Sequence, residues 1–80
     1  MFTKLKSILI ENFDWIKKNN IIYNSKINED LGFDSISLIN LQILIEDNFE
    51  IRFNPMEDDI TEIFDSIDSL ISFIEKKKNE

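Results

Sequence analysis

No cysteine occurs in the 80 residues of this chain, and no histidine. The first absence excludes disulfides, thiolate nucleophiles and cysteine metal sites. The second removes the commonest general base and the commonest metal ligand. Alanine and valine are missing too, while isoleucine, asparagine and lysine are frequent. We read that as a compositional bias of the source genome, without functional content. One glycine and one proline punctuate the whole chain. No apolar run approaches the roughly 20 residues that a membrane span needs, which argues against a membrane partner. Met1 to Ile10 is cut short by Glu11 and Asp14 and precedes no small-residue cleavage site, so it makes a poor signal peptide. The expected compartment is the cytoplasm.

What is present is acid. The net charge is −7. Thirteen acids lie between Ile27 and Glu75, opposed by Arg52 alone. Lysine collects towards the ends, at Lys4, Lys6, Lys17, Lys18 and Lys76 to Lys78. Such a surface repels phosphate, so nucleic acid is not an expected partner. It would steer partners with basic patches towards it. Acidity also keeps a small protein soluble, which explains part of the pattern without any partner. The run Glu57 to Asp59 lacks the alternate-residue ligands and glycine of a calcium loop, and reads as a solvated charge cluster, so no metal is expected.

A chain of this length forms one domain at most, here expected to span residues 1–80. Phe2, Leu5, Leu9, Phe13 and Ile16 recur at helical spacing, flanked by Ile8 and Trp15. They predict a first helix from about Thr3 to Asn19, with Lys17 and Lys18 in its last turn and Asn19-Asn20 ending it. Residues 20–34 then make a long loop with apolar anchors at Ile21, Ile22, Tyr23, Ile27, Leu31 and Phe33. A loop of that length in so small a domain hints at function. A second helix is predicted from Asp34 or Ser35 to near Phe49, with Leu38, Leu41, Ile45 and Phe49 facing the core. A second stripe, Ile36, Ile39 and Ile43, points elsewhere, which implies deep burial or a second contact surface. We expect Ile36 and Ile43 to be partly exposed as a binding surface. Phe49 to Phe53 alternates briefly without an obvious strand partner. Asn54-Pro55 marks another loop. Asp58 or Asp59 suits the cap of a short third helix holding Ile60, Ile63 and Phe64. Asp65 or Ser66 suits the cap of a fourth, with Ile67, Leu70, Ile71 and Ile74 inward and Lys76 to Lys78 at its end. The expected fold is all-α: a four-helix bundle with a short third helix and a long first loop.

One stretch carries chemistry: Asp30-Leu31-Gly32-Phe33-Asp34-Ser35-Ile36. It sets a serine at a helix start, behind a turn built on the only glycine. There a hydroxyl is exposed, and unpaired N–H groups and the helix dipole favour an anion. Gly32 supplies positive φ without steric cost. By itself, Asp-Ser at a helix start is an N-cap. In context, Leu31 to Ile36 resembles the phosphopantetheine attachment motif of the carrier protein family, acyl and peptidyl. The resemblance continues through Leu41, Ile45, Glu46, Asp47, Phe49 and Ile51, and again through Phe64-Asp65-Ser66-Ile67-Asp68-Ser69-Leu70. It covers most of residues 27–74.

The resemblance implies a carrier that is no enzyme and has no catalytic residue. Ser35 would be the attachment point, to which a phosphopantetheinyl transferase moves 4′-phosphopantetheine from coenzyme A. The resulting phosphodiester keeps one negative charge, which the start of helix two would stabilise by roughly 0.3–1 kcal/mol. The arm's terminal thiol would hold cargo as a thioester, which is how a chain without cysteine could serve thiol chemistry. Asp34 would be both helix cap and part of the surface the transferase reads, with Gly32 in the turn. Cargo-loading and cargo-accepting enzymes would contact Ile36, Ile43, Glu46 and Asp47, and the carrier would act as a monomer.

One departure bears on pathway. Acyl carriers of fatty acid synthesis usually place acids in the first two turns after the serine, where this chain has Ser37 and Asn40. That points to apolar recognition and to a free-standing carrier of nonribosomal peptide or polyketide type. A fatty-acid-synthesis carrier, an aminoacyl carrier for cell-wall alanylation, and an acidic helical adaptor that bears no cargo are the alternatives.

Overall fold

The computed structural model describes residues 1–17 and 21–79. Four helices follow in order: α1 (Phe2–Asn12), α2 (Ser35–Phe49), α3 (Ile60–Ile63) and α4 (Ile67–Lys78). The expected all-α bundle with a short third helix and a long first loop is what forms. Among the described residues no strand is present, only an isolated bridge between Lys26 and Ser66.

Helix α1 is shorter than its periodicity predicts. It ends at Asn12, and Phe13 is already extended at φ −132°, ψ 108°. Asn12 turns its side-chain amide back onto the Ile8 carbonyl at 2.8 Å, the local competition that makes asparagine a poor helix continuer. Tertiary packing does the rest. Leaving the helix lets Phe13 stack edge-on against Phe33, with ring centres 4.8 Å apart. Phe13 and Ile16 are both buried, as the stripe implied, but from an irregular segment. Lys17 lies beyond the helix and caps nothing in it. The expected cap at Lys18, Asn19 and Asn20 falls outside the described residues.

The core is drawn from all parts of the chain. Leu5 and Leu9 of α1, Leu41 and Ile45 of α2, and Ile67, Leu70 and Ile74 of α4 are fully buried, together with Ile21 and Ile27 of the first loop. Burying each such side chain contributes about 1.5–3 kcal/mol. Leu38, expected in the same stripe as Leu41, is only half-buried, at the edge of the core. Of the predicted loop anchors, Ile21, Ile27, Leu31 and Phe33 are buried. Ile22 and Tyr23 are exposed instead, because residues 23–25 turn their carbonyls towards the start of α4.

That docking fixes the long loop. The Ile67 N–H donates to the Ser25 carbonyl and the Asp68 N–H to the Tyr23 carbonyl, both at 3.0 Å, while the Ile27 N–H donates to the Asp65 carbonyl at 3.2 Å. Lys26 pairs with Asp65 at 2.8 Å. The loop is therefore an edge laid along α4, and residues 26–33 turn from it towards α2.

The far end of α2 is where the separated lysines converge. Lys4 of α1 donates to the Asn48 carbonyl at 2.8 Å, and Lys78 of α4 to the Phe49 carbonyl at 3.2 Å. Both satisfy orphan carbonyls at the negative end of the helix dipole. The alternating segment that leaves α2 turns through the left-handed Glu50 and joins no strand among the described residues. It buries Phe49, Ile51 and Phe53, with Phe53 stacked on Phe73 at 5.0 Å. Of the two candidate caps for α3, Asp59 is the one used, accepting from the Glu62 N–H. Asp58 instead accepts from the Asn54 N–H at 2.7 Å and pairs with Lys77 at 3.3 Å. Phe64 sits just past α3 and is buried.

Candidate functional site

Ser35 is the first residue of α2, and Asp34 is its N-cap. The reason is a capping box. Asp34 Oδ1 accepts from the Ser37 N–H at 2.8 Å, and Ser37 Oγ accepts from the Asp34 N–H at 2.9 Å. The Ser37 hydroxyl in turn donates to Asp34 Oδ1 at 2.6 Å. This arrangement satisfies two backbone N–H donors, each with the other residue's side-chain oxygen. It also occupies the two polar side chains that flank Ser35, and leaves Ser35 out. The Ser35 side chain is exposed and makes no hydrogen bond with any described residue. Ser37 is buried, with its hydroxyl engaged. Of the two serines in this turn, one is available and the other is spent on the fold.

The Asp34 carboxyl is held below the ordinary aspartate range, first by the Ser37 hydroxyl and then by the Ser37 N–H. It stays ionised at neutral pH and faces the helix rather than the Ser35 hydroxyl. No carbonyl from another described element reaches the Ser35 or Ile36 N–H. No acid lies in the first turn of α2. An anion on Ser35 Oγ therefore meets the positive end of a 15-residue helix, which it shares with the ionised Asp34 cap. These residues fit a phosphodiester-linked arm, whose thiol supplies the thioester chemistry when attached. For such an arm the chain would present the hydroxyl, keep it free of partners among the described residues and place a helix terminus behind the phosphate.

The turn before Ser35 is held from several sides. Gly32 has φ +72°, the left-handed conformation that glycine was expected to supply. The Phe33 N–H donates to the Ile27 carbonyl at 3.2 Å. Trp15, which the helical pattern placed beside α1, donates its indole N–H to the Leu31 carbonyl at 2.7 Å. Its ring is edge-on to Phe13 and Phe33, at 5.4 and 5.5 Å. Helical periodicity could not have shown this role, since Trp15 lies outside the helix. Ser37 was legible in principle: a short polar side chain three residues after an N-cap aspartate is the capping pattern.

The other predicted contact residues do not form one patch. Ile36 is 73 % exposed and Ile43 51 %, and Ile39 between them is 59 % exposed. These three share one face of α2, beginning immediately after Ser35. Asp47 is exposed further along. Glu46 is half-buried, and its Oε2 accepts from the Phe53 N–H at 2.9 Å. Its carboxylate thus helps to hold the chain as it leaves α2. Among the described residues the largest hollow, of about 570 Å³, lies at that far end, lined by residues 49–54 with Lys77 and Lys78. It is separated from Ser35 by the length of α2, about 21 Å at 1.5 Å per residue. It is not part of the site. No group of residues suited to holding a metal is found among the described residues, and none of their helices is long and apolar enough to cross a membrane.

Comparison with known proteins places the chain in a family. The phosphopantetheine attachment site family matches residues 5–74. The chain is 32 % identical over 76 residues to an acyl carrier protein of Phytoplasma mali, covering 95 % of this chain and 86 % of that one. It is 32 % identical over 78 residues to an acyl carrier protein of Borrelia garinii, covering 98 % and 92 %. It is 30 % identical over 77 residues to an acyl carrier protein of Thermotoga maritima, covering 96 % and 90 %. A carrier of this kind is loaded by a phosphopantetheinyl transferase, serves biosynthetic enzymes and is not itself an enzyme. With a helix start that frees one serine and a match that runs through all four helices, the chain belongs to the acyl carrier protein family, whose members bear a covalent 4′-phosphopantetheine.

Proposed function

We propose that Ser35 is the residue that receives phosphopantetheine, and that partner enzymes dock on the apolar stripe Ile36, Ile39 and Ile43. The carrying observation is the division of labour in the capping box. Asp34 and Ser37 bind each other, and the Ser35 hydroxyl between them is exposed and unbonded. Loaded through its thiol, the arm holds an acyl or aminoacyl group as a thioester. The carrier raises that group's effective concentration at each enzyme it visits. Gly32 and Asp34 shape the approach to Ser35, and Asp47 lies at the edge of the docking face. Glu46 contributes less than its charge suggests, because one oxygen already serves Phe53.

The uncharged first turn of α2 and the exposed isoleucines support a free-standing carrier of a nonribosomal peptide or polyketide type pathway, acting as a monomer in the cytoplasm. A second reading is a carrier of fatty acid synthesis, for which relatives named acyl carrier protein leave room. The test is an intact-protein mass spectrum after incubation with a broad-specificity phosphopantetheinyl transferase and coenzyme A. We expect one phosphopantetheine mass gain on the wild type and none on Ser35→Ala. No gain on folded wild type would return Ser35 to a structural role and favour the cargo-free adaptor. Offering the modified protein an aminoacyl-adenylating enzyme then tests the nonribosomal peptide branch alone, since malonyl transfer is common to polyketide and fatty acid carriers.

A further inference from the structure

We infer that Trp15 is a positioning residue for the modification of Ser35, and that it acts by clamping both sides of the Gly32 hinge. This rests on Ser35 being the attachment point. Gly32 is the one position in the turn whose backbone lies in the left-handed region, and glycine is also the residue with the most freedom to leave it. Something must hold the residues on either side. Trp15 holds both. Its indole N–H takes the Leu31 carbonyl, on one side of Gly32, at 2.7 Å. Its ring meets the Phe33 ring, on the other side, at 5.5 Å and nearly edge-on at 63°. A Cβ at Gly32 would lie 3.6 Å from the indole nitrogen, so the clamp passes directly over the hinge in ordinary contact.

Burial does not explain the tryptophan. It is 49 % exposed, whereas Phe13 beside it is buried and supplies the edge-on contact to Phe33. An apolar anchor at residue 15 would do as well with a smaller ring and no donor. What only the indole provides is a donor that reaches the Leu31 carbonyl while the ring still covers Phe33. From Phe33 the constraint passes to Asp34 and the capping box, and so to the direction in which Ser35 leaves α2. When the turn is held, the transferase meets a hydroxyl already in place. When it is not, the binding-competent turn is only a fraction of the population, and apparent affinity falls by that fraction while the rate in the bound complex does not.

The experiment compares wild type, Trp15→Phe and Ser35→Ala as full chains, in steady-state modification by the same broad-specificity transferase with coenzyme A. Trp15→Phe keeps a ring and removes the donor. The expected result is a raised KM for the carrier, at most about five- to tenfold, the scale of one lost hydrogen bond to the turn, and about twofold if the turn is mostly held in the wild type, with kcat unchanged. A merely structural role would lower Tm and leave KM unchanged well below it. An unchanged KM in folded Trp15→Phe overturns the inference about Trp15 and leaves Ser35 untouched. Modification of Ser35→Ala, or none of folded wild type, overturns the Ser35 reading itself. If Trp15→Phe does not fold, hydrogen exchange of the wild type decides. A Trp15 indole proton as slow as the Phe33 amide supports the clamp. Exchange at the rate of a free indole removes it.

Discussion

The tripeptide Asp-Ser-Ile occurs twice, at 34–36 and at 65–67, and each copy begins a helix. Both helix starts carry a capping box, yet they are shifted by one residue. In α2 the aspartate caps, and the serine is the first helical residue. In α4 the serine caps, and the isoleucine is the first helical residue. That shift changes everything around the serine. Ser66 Oγ accepts from the Ser69 N–H at 3.2 Å and is consumed by the fold. Asp65 is turned outward to Lys26. The N–H groups of Ile67 and Asp68 are taken by carbonyls of the first loop. Ile67 is fully buried, whereas Ile36 is 73 % exposed. One copy is closed off as structure and the other is left open to an anion and a partner. The same three residues stand in two different surroundings, and it is the open one that supports the proposed attachment at Ser35.

The largest effect that would break this comparison is qualitative. Ser35→Ala should abolish the phosphopantetheine mass gain, and Ser66→Ala should leave it intact. A gain lost in folded Ser66→Ala would show that the second copy is not merely structural.

Next in size is the pair of isoleucines. Ile67→Ala should cost about 2–5 kcal/mol in denaturant unfolding, a large part of the stability of so small a domain. Ile36→Ala should stay within about 0.5 kcal/mol. Ile36→Asp and Ile43→Asp should keep full helical ellipticity and yet slow transfer to downstream enzymes. Unfolding in those two would place the stripe in the core after all. The caps come third. Ser66→Ala should cost about 1 kcal/mol, read as a lower denaturant midpoint with an unchanged slope.

The smallest effects are in pH, and the two helix starts should differ in sign. The Asp34 carboxyl is held down by Ser37, so its contribution is present above the ordinary aspartate value and is lost as pH falls through the lower folded value. The Lys26 ammonium is held up by Asp65. Its contribution is present below the ordinary lysine value and is lost as pH rises through the higher folded value. Asp34→Asn should therefore flatten the acid limb of the stability profile, and Lys26→Met the alkaline limb. An acid limb unaltered by Asp34→Asn would mean that Asp58, whose carboxyl is held down by the Asn54 N–H and by Lys77, dominates it instead.

Much of the architecture was legible because it is local. The spacing of Leu41, Ile45 and Phe49, and of Ile67, Leu70, Ile71 and Ile74, states which side of a helix is apolar, and those side chains are buried. Asp59 and Ser66 are caps wherever a helix follows them. The failures share one cause. Helix α1 stops at Asn12 because Phe13 finds Phe33, which is 20 residues away. Trp15, expected to flank the stripe of a longer first helix, turns to a carbonyl 16 residues away. Ile22 and Tyr23 are pushed outward because their neighbours bond to α4. Charge misled in the same way: Glu46 looked like a surface acid until the returning chain brought the Phe53 N–H to it.

The residues by themselves determined that four helices form, where three of them begin, and that a serine stands at a helix start behind the only glycine. Periodicity, capping chemistry and positive φ act over a few residues, so one dimension is enough to express them. The Leu31 to Ile36 motif already singled out the first Asp-Ser-Ile copy, but what closes the second is tertiary structure. The carbonyls of Tyr23 and Ser25 close one helix start, no described carbonyl closes the other, and contacts between distant segments are written in no local pattern.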